Sequence, residues 1–315
     1  MSDRKNKQRW ISWSMAFFVT AAFGLTALGL FDVSRSGQAL GRIHAQAWLL
    51  VVASFLLIAI IRAFRLLFIA PSAQVAPVFR ASFLHGIANA VLPARMGEAV
   101  LPLALSKFAK LDLFRAIGLL LVVRLGDLIA LTGLGLILVG LLDYANLADS
   151  LRIAAVVCGI VLISAIAVIP ALVGVAGGLL PRLFKSLADR ISTSSAQINA
   201  GNKAYLVLLT LAIWFTLAVA SHISIRAAGL EVDFAVAWLA CIAASFAFAL
   251  PVNGIASVGP FEAAFVSVLV LSGADAQAAL TAALHLHICA LLAAGLAALS
   301  TVLFKAVPVT RNEFG

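Results

Sequence analysis

The fold is decided by the stretch SFLHGIANAVLPARMGEAVLPLALSKFAKLDLFRAIGLLLVVRLGD, Ser82–Asp127. This stretch is apolar enough to lie in a lipid bilayer, but Pro93, Arg95, Gly97 and Glu98 interrupt it. The interruption comes before the run has used the roughly 20 apolar residues that a spanning helix needs. The stretch therefore predicts a broken, re-entrant helical hairpin followed by a charged transmembrane helix.

The composition indicates an integral membrane protein. The 315 residues are 63% hydrophobic and 11% charged, whereas a soluble domain has about 25% charged residues. The net charge of +9 does not indicate a nucleic-acid partner, because such proteins cluster basic residues on a soluble face and no soluble segment of this chain is long enough to form one. No nucleic-acid partner is therefore expected.

Six apolar segments have about the length of a hydrocarbon core: Ile11–Phe31, Ala47–Ala70, Arg115–Leu142, Ile153–Val175, Ala204–Ser221 and Ala276–Phe304. Two further apolar regions, Ser82–Phe108 and Phe234–Leu271, are broken by proline and glycine. We predict an all-α integral membrane protein with about six full transmembrane helices plus two oppositely inserted re-entrant hairpins. The whole chain, residues 1–315, is expected to form a single polytopic membrane domain.

The distribution of basic residues predicts the topology, because short cytoplasmic loops carry an excess of Lys and Arg. With the N-terminus inside and each broken region entering and leaving on one side, 16 of the 22 basic residues are cytoplasmic, Arg65 among them. Four lie outside, and Arg95 and Arg124 lie at membrane depth. Both termini are therefore predicted to be cytoplasmic.

The same topology contains two units in opposite orientation, residues 47–142 and residues 204–304. Each unit has a span, a hairpin and a second span, an arrangement that many transporters use for alternating access. The spacing from Glu98 to Arg124 also nearly matches the spacing from Glu262 to His287. We therefore predict an inverted repeat.

Polar residues in the hairpins and the helices that follow them form the candidate substrate path, because ionisable groups at membrane depth are costly and usually functional. The candidates are Asn89, Arg95, Gly97, Glu98, Arg124, Asp127, Asn253, Gly259, Glu262 and His287.

The charged candidates have alternative roles. Arg95 is a candidate ligand for a lipid phosphate, or a structural ion-pair partner of Glu98 or Asp127. Glu98 and Glu262 are each placed in the first turn of a half-helix, either as caps or as proton- or cation-coupled carboxylates. Arg124 and Asp127 share a helical face, and we expect Arg124 to reach Glu98 or the headgroup.

The polar candidates do not indicate a metal site. His285 and His287 are two residues apart and cannot share a helical face closely, so one is a candidate partner of Glu262 and the other a buried core residue. Asn89 and Asn253 lie at the hairpin breaks, where amide side chains can satisfy freed backbone groups. No cofactor motif is present.

Three motifs resemble those of the lysylphosphatidylglycerol synthetase transmembrane family. They are N-x3-P-x-R-x-G-E at Asn89–Glu98, V-x-R-x-x-D at Val122–Asp127 and P-x-N-G-x4-G-x2-E at Pro251–Glu262. The best-understood members form the flippase portion of bacterial multiple peptide resistance factors. The resemblance implies a flippase-like fold that moves a charged or glycosylated lipid between leaflets of the bacterial inner membrane. It does not imply aminoacyl transfer, because no synthetase domain is expected in this chain.

Two other functions remain open at this point. An integral-membrane transferase acting on a polyprenyl-phosphate or phospholipid could use the same carboxylates as a base or metal site, although no Asp-rich cluster for Mg²⁺ is present. Alternatively, the chain could be a non-transporting subunit that stabilises a lipid-modifying enzyme. We expect no enzymatic activity, and the sequence does not distinguish a monomer from a homodimer.

Overall fold

The computed structural model describes residues 21, 32–70, 73–142, 148–169, 200–249, 256 and 258–303. Within these ranges the regular structure is helical, with ten α-helices, two short 3₁₀ segments and no sheet. The prediction of an all-α protein is therefore confirmed. The predicted span Ile11–Phe31 lies, apart from residue 21, outside the described residues.

The α-helices are, in chain order, α1 Val33–Arg42, α2 Ala45–Ile69, α3 Val75–Val91, α4 Val100–Ala109, α5 Leu113–Leu141, α6 Asp149–Ala165, α7 Ala200–Ala227, α8 Phe234–Ala249, α9 Pro260–Leu271 and α10 Ala276–Leu303. The 3₁₀ segments are Pro93–Ala99, between α3 and α4, and Ile166–Val168, which extends α6.

Five helical stretches are long and apolar enough to cross a membrane: Ala45–Ile69, Leu113–Leu141, Asp149–Val168, Lys203–Ala227 and Ala276–Val302. They coincide with five of the six predicted spans. Large apolar side chains such as Leu49, Leu208 and Val302 are exposed on their outer faces, as expected for helices in contact with lipid chains. The protein is thus a multi-pass helical membrane protein.

The first broken region is a helical hairpin made of α3 and α4. Its two arms lie side by side, because the guanidinium carbon of Arg80, in the second turn of α3, is 4.0 Å from the ring centroid of Phe108, near the end of α4. Glycine is required at the break. A Cβ atom on Gly97 would lie 2.4 Å from the backbone nitrogen of Asn89, a distance that van der Waals packing does not allow.

The second broken region consists of α8 and α9, and the start of α8 lies near the end of α9. Val236, near the start of α8, and Ser272, just after α9, line the same open surface cavity. Gly259 begins α9 with φ of +124°, a conformation that glycine adopts without steric cost. The predicted site residue Asn253 lies outside the described part of this break.

The buried apolar residues form two clusters that lie toward opposite ends of α2. Leu66 and Ile69, at the end of α2, belong to the cluster around the α3–α4 hairpin. Val51, near the start of α2, belongs with Phe265 and Leu286 to the cluster around the α8–α9 hairpin. The two ends of α2 therefore lie in different apolar clusters.

The short helix α1 joins the starts of α2 and α10. The Gln277 amide donates hydrogen bonds to the carbonyl oxygen of Asp32, at 2.8 Å, and to the Ser36 hydroxyl, at 2.5 Å. Asp32 caps α1 by accepting from the Arg35 N–H at 3.0 Å. Hydrogen bonds from the Ser34 hydroxyl and this N–H lower the pKa of Asp32. The start of α10 is thus fixed beside the segment that precedes α2.

Helices α5 and α6 approach each other closely through small residues. A Cβ atom on Gly159 would lie 2.5 Å from the carbonyl oxygen of Gly133, and one on Gly140 would lie 2.7 Å from the carbonyl oxygen of Arg152. Small residues drive helix association in membranes because they let backbones touch. These glycines hold α6 against the helix that carries Arg124 and Asp127.

Candidate functional site

The centre of the site is an ion pair between Glu98, in the first hairpin break, and Arg124, the twelfth residue of α5. The Arg124 Nε donates to Glu98 Oε2 at 2.9 Å, and its Nη2 donates to Oε1 at 2.5 Å. The side chains are not sealed from solvent, since 33% of Arg124 and 20% of Glu98 is exposed. This contact agrees with the expectation that Arg124 reaches Glu98.

Glu98 does not lie where the sequence placed it. It belongs to the 3₁₀ segment Pro93–Ala99, just before α4 begins at Val100, and not to the first turn of a half-helix. The tighter 3₁₀ turn fits the close approach of Gly97 to α3. The Glu98 carboxylate is therefore engaged by side chains from α3 and α5.

His85, for which no partner was predicted, links the arms of the hairpin. Its Nδ1 lies 3.1 Å from the carbonyl oxygen of Gly97. Its Nε2 lies 3.2 Å from both the Asn89 amide nitrogen and Arg124 Nη2. Both of those nitrogens donate, so Nε2 must accept and the proton must be on Nδ1. His85 is neutral in this arrangement, and Asn89 also donates to Glu98 at 3.2 Å.

Arg95 connects the two hairpin breaks. Its Nε and Nη2 donate to the carbonyl oxygen of Phe248, near the end of α8, at 3.1 and 3.0 Å. The backbone of Arg95 has φ of +57°, an uncommon conformation for a non-glycine residue. Its Nη1 is 3.8 Å from Glu98 Oε1, too far for a hydrogen bond. The main partner of Arg95 is thus a backbone carbonyl of the other hairpin.

Asp127 forms a buried ion pair with Arg65, a residue that the sequence placed among the cytoplasmic charges. Arg65 Nη1 and Nη2 donate to the two carboxylate oxygens at 2.6 and 3.2 Å, and Nη1 also donates to Thr210 Oγ1 at 3.0 Å. The expected Arg124–Asp127 pair is looser, at 3.6 Å. Arg62 and Arg65 lie three residues apart in the last third of an apolar helix, a pattern that indicates burial. The positive-inside rule explains the same two residues as cytoplasmic charges.

The second hairpin contains a separate acid–base pair. Glu262, the third residue of α9, is fully buried and contacts His287 Nδ1 through its Oε1. Its Oε2 accepts from the Gly259 N–H at 2.7 Å, which is the carboxylate half of a capping box. His287 Nε2 lies 2.9 Å from the carbonyl oxygen of Ala256. Both ring nitrogens thus face acceptor groups, so a proton on Nδ1 would be donated to the carboxylate.

The two histidines of α10 have different surroundings. His285 is buried, lies 3.1 Å from the Ser224 hydroxyl and packs edge-on against Trp48 at a ring-centroid distance of 4.4 Å. His287 is therefore the partner of Glu262, and His285 is a core residue. Among the described residues, no group of three His, Cys, Asp or Glu side chains could hold a metal ion.

The two acid–base pairs occupy equivalent positions in the two halves of the chain. Each carboxylate lies at or just before the start of the second arm of a hairpin. Each partner is the twelfth residue of the long helix that follows, Arg124 in α5 and His287 in α10. Chemically, the first pair can exchange its carboxylate for another anion, and the second can bind and release a proton.

Comparison with known proteins identifies one family. Searches of curated proteins and of solved structures return no match. The family model described as "Lysylphosphatidylglycerol synthase TM region" matches residues 13–298, which include α1 to α9, most of α10 and both acid–base pairs. The chain therefore belongs to the lysylphosphatidylglycerol synthase TM region family.

Proposed function

We propose that this protein is a flippase-like translocase that moves a phospholipid or another charged or glycosylated lipid between the leaflets of the bacterial inner membrane. The lipid leaves chemically unchanged. The observation that carries the proposal is the partial exposure of Arg124, a guanidinium in the middle of a long apolar helix.

The depth of Arg124 explains why its exposure matters. Twelve residues at a rise of 1.5 Å place it roughly 18 Å along α5, about half of the ~30 Å hydrocarbon core. An arginine facing lipid tails at that depth is costly. Its exposed third must therefore face water or a polar headgroup, and a polar route to mid-membrane is what a lipid headgroup needs.

Short helices support re-entrance of both broken regions. Helix α4 has 10 residues and α9 has 12, which span only about 15 and 18 Å. Each one leads from a break that contacts the middle of a long helix back to the side on which that helix begins. Irregular backbone at such depth is tolerated where it faces protein or a water-filled cavity.

The division of the buried apolar residues into two clusters along α2 supports opposite insertion of the two hairpins. The α3–α4 hairpin shares a core with the end of α2, and the α8–α9 hairpin shares a core with its start. With the equivalent acid–base pairs, this arrangement favours an inverted repeat with the substrate site between the halves. The Arg95–Phe248 hydrogen bonds would then be the contact at which the halves move against each other.

The proposal is tested by leaflet exchange of labelled phospholipids in vesicles that contain the purified protein. We expect Arg124→Gln and Glu98→Gln to abolish protein-dependent exchange at equal incorporation. The matched controls, Arg35→Gln and Glu231→Gln, change exposed surface residues and should keep it. Exchange at the wild-type rate in folded Arg124→Gln would contradict the proposal, and a chemically altered lipid in the mass spectrum would favour a transferase.

A further inference from the structure

We propose that the lipid carries a headgroup of net negative charge, and that its phosphate binds between the guanidinium groups of Arg95 and Arg124. The inference rests on the proposed translocase function, and it names the substrate class that this site selects.

The charges around the first break do not balance. Arg65 and Asp127 neutralise each other through two hydrogen bonds. Arg95 and Arg124 then share the carboxylate of Glu98, and the other carboxylate contact of Arg124, at 3.6 Å, is to the same Asp127 that neutralises Arg65. One positive charge is therefore left over within the described part of this cluster.

Neighbouring groups do not remove the excess. His85 is neutral, because its Nε2 accepts from two donors. Arg62, one turn before Arg65 on α2, adds a further positive charge on an exposed side chain. Uncompensated charge at membrane depth is unfavourable, so an anion that enters the cluster is stabilised.

The geometry suits a phosphate. Arg124 Nη2 lies 2.5 Å and Arg95 Nη1 lies 3.8 Å from the same oxygen, Glu98 Oε1, so one tetrahedral anion could bridge the two guanidinium groups. The hydrogen bonds of Arg95 use its Nε and Nη2. Those of Arg124 to Glu98 also use Nε and Nη2. The Nη1 groups make only longer ion-pair contacts, Arg124 Nη1 to Asp127 Oδ2 at 3.6 Å and Arg95 Nη1 to Glu98 Oε1 at 3.8 Å. Both are beyond hydrogen-bond distance, and arginine binds phosphate oxygens with such groups.

The site offers nothing comparable to a cationic headgroup. The three carboxylates at membrane depth in the described residues are Glu98, Asp127 and Glu262, and each already contacts a basic side chain. Glu262 is also fully buried. A positively charged headgroup would therefore meet repulsion from the arginines with no free carboxylate to offset it.

In the absence of lipid, the Glu98 carboxylate then occupies the position beside Arg124 that the phosphate would take. An arriving headgroup displaces the carboxylate from Arg124, and Glu98 returns when the lipid leaves. Glu98→Gln keeps the side-chain shape but removes the competing charge. We therefore expect this variant to bind an anionic headgroup about tenfold more tightly, whereas Arg124→Gln weakens binding by at least about tenfold, since one charge-assisted hydrogen-bond pair is changed in each case.

The test is a binding titration of the purified full chain in neutral detergent with three water-soluble probes. These are a short-chain phosphatidylglycerol, which is anionic, the matching phosphatidylcholine, which is zwitterionic, and inorganic phosphate. We expect phosphatidylglycerol to bind at least about tenfold more tightly than phosphatidylcholine, Glu98→Gln to strengthen this binding, Arg124→Gln to weaken it, and the surface control Arg35→Gln to leave it unchanged.

Equal affinity for the two lipids would overturn the inference, as would Glu98→Gln variants that bind no more tightly than wild type. Inorganic phosphate that binds as tightly as phosphatidylglycerol would assign the site to a soluble anion and overturn its assignment to a lipid. Rapid wild-type exchange of phosphatidylcholine in vesicles, combined with equal affinities, would refute the charge selectivity while leaving the translocase function intact.

Discussion

Removing the carboxylate of Asp127 should destabilise the protein more than any other single change at the site. Arg65 is 2% exposed and is held by two hydrogen bonds to Asp127 and one to Thr210. Asp127→Asn leaves the guanidinium buried with only neutral partners. Breaking a buried ion pair in this way costs about 3–5 kcal/mol, because the remaining charge has lost its compensation without regaining water.

The double substitution Arg65→Met/Asp127→Leu should recover most of that loss. Replacing both partners with apolar residues of similar volume is often neutral or stabilising. Thr210 keeps its own hydrogen bond to the carbonyl oxygen of Leu206, at 2.7 Å, so no orphaned hydroxyl results. The ion pair would then specify how α2, α5 and α7 pack together while contributing little to the free energy of unfolding.

The assay is equilibrium unfolding of the purified protein in mixed micelles, followed by helicity as denaturing detergent is added. Asp149→Asn is the matched control, since Asp149 is 94% exposed and 4.0 Å from Arg152, and such surface pairs contribute about 1 kcal/mol or less. A loss below about 1 kcal/mol for Asp127→Asn, or a double variant no more stable than the single one, would refute the reasoning.

Three further outcomes follow from the packing. Gly97→Ala should lower the free energy of unfolding by about 3 kcal/mol, because its Cβ would lie 2.4 Å from backbone. The control Gly86→Ala, whose Cβ would have nothing within 4 Å, should be neutral or stabilising. Equal melting temperatures for the two variants would contradict this. Gly159→Ala should lower the free energy of unfolding by about 1–3 kcal/mol, since its Cβ would lie 2.5 Å from a carbonyl oxygen of α5. Gly135→Ala should cost little, because its Cβ would lie 3.6 Å from the Ile242 side chain. Thermal unfolding of the two variants measures the difference. Alkaline pH should lower the melting temperature of wild type more than that of His287→Gln, because the wild-type pair loses the proton that Nδ1 donates to Glu262; identical pH profiles would count against this proton.

Much of the fold could be predicted from hydropathy and helix breakers. Five spans were located, with differences of up to six residues at the described ends, as between Ser221 and Ala227, because an apolar run near 20 residues has few alternatives in a chain this hydrophobic. Pro93 and Gly97 correctly marked the first break, and Gly259 marked the start of α9. The re-entrant insertion of both broken regions was predicted from the distribution of basic residues, and it stays a prediction.

Some of the individual partners at the site could be predicted from the cost of charge in a membrane. Arg124 was expected to reach Glu98 or the headgroup because it must face a polar interior, and one of two histidines was expected beside Glu262 as a titratable partner. His85 was missed because its partners come from the break and from α5. The role of Arg65 was missed because its partner Asp127 is 62 residues away, and nothing in local sequence reports which face of α2 turns toward α5.

The bond between Arg95 and Phe248 illustrates the same limit. A lipid phosphate or a nearby carboxylate was predicted as the partner of Arg95, because the sequence shows which residues are charged. A backbone carbonyl freed by the end of α8 is an equally good acceptor, but its position depends on how the second hairpin packs against the first. Contacts between the two halves are therefore the part of the site that required the structure.

The most direct test of the central claim is whether the wild-type protein alone moves lipid across a bilayer. Vesicles with and without purified protein would carry a labelled anionic phospholipid in both leaflets, and a membrane-impermeant reagent would quench the outer label. We expect about half of the label to be quenched in empty vesicles and nearly all of it in vesicles with protein, with the lipid recovered unmodified. Quenching that stops at the outer leaflet in both samples, with the protein folded and incorporated, would contradict the account.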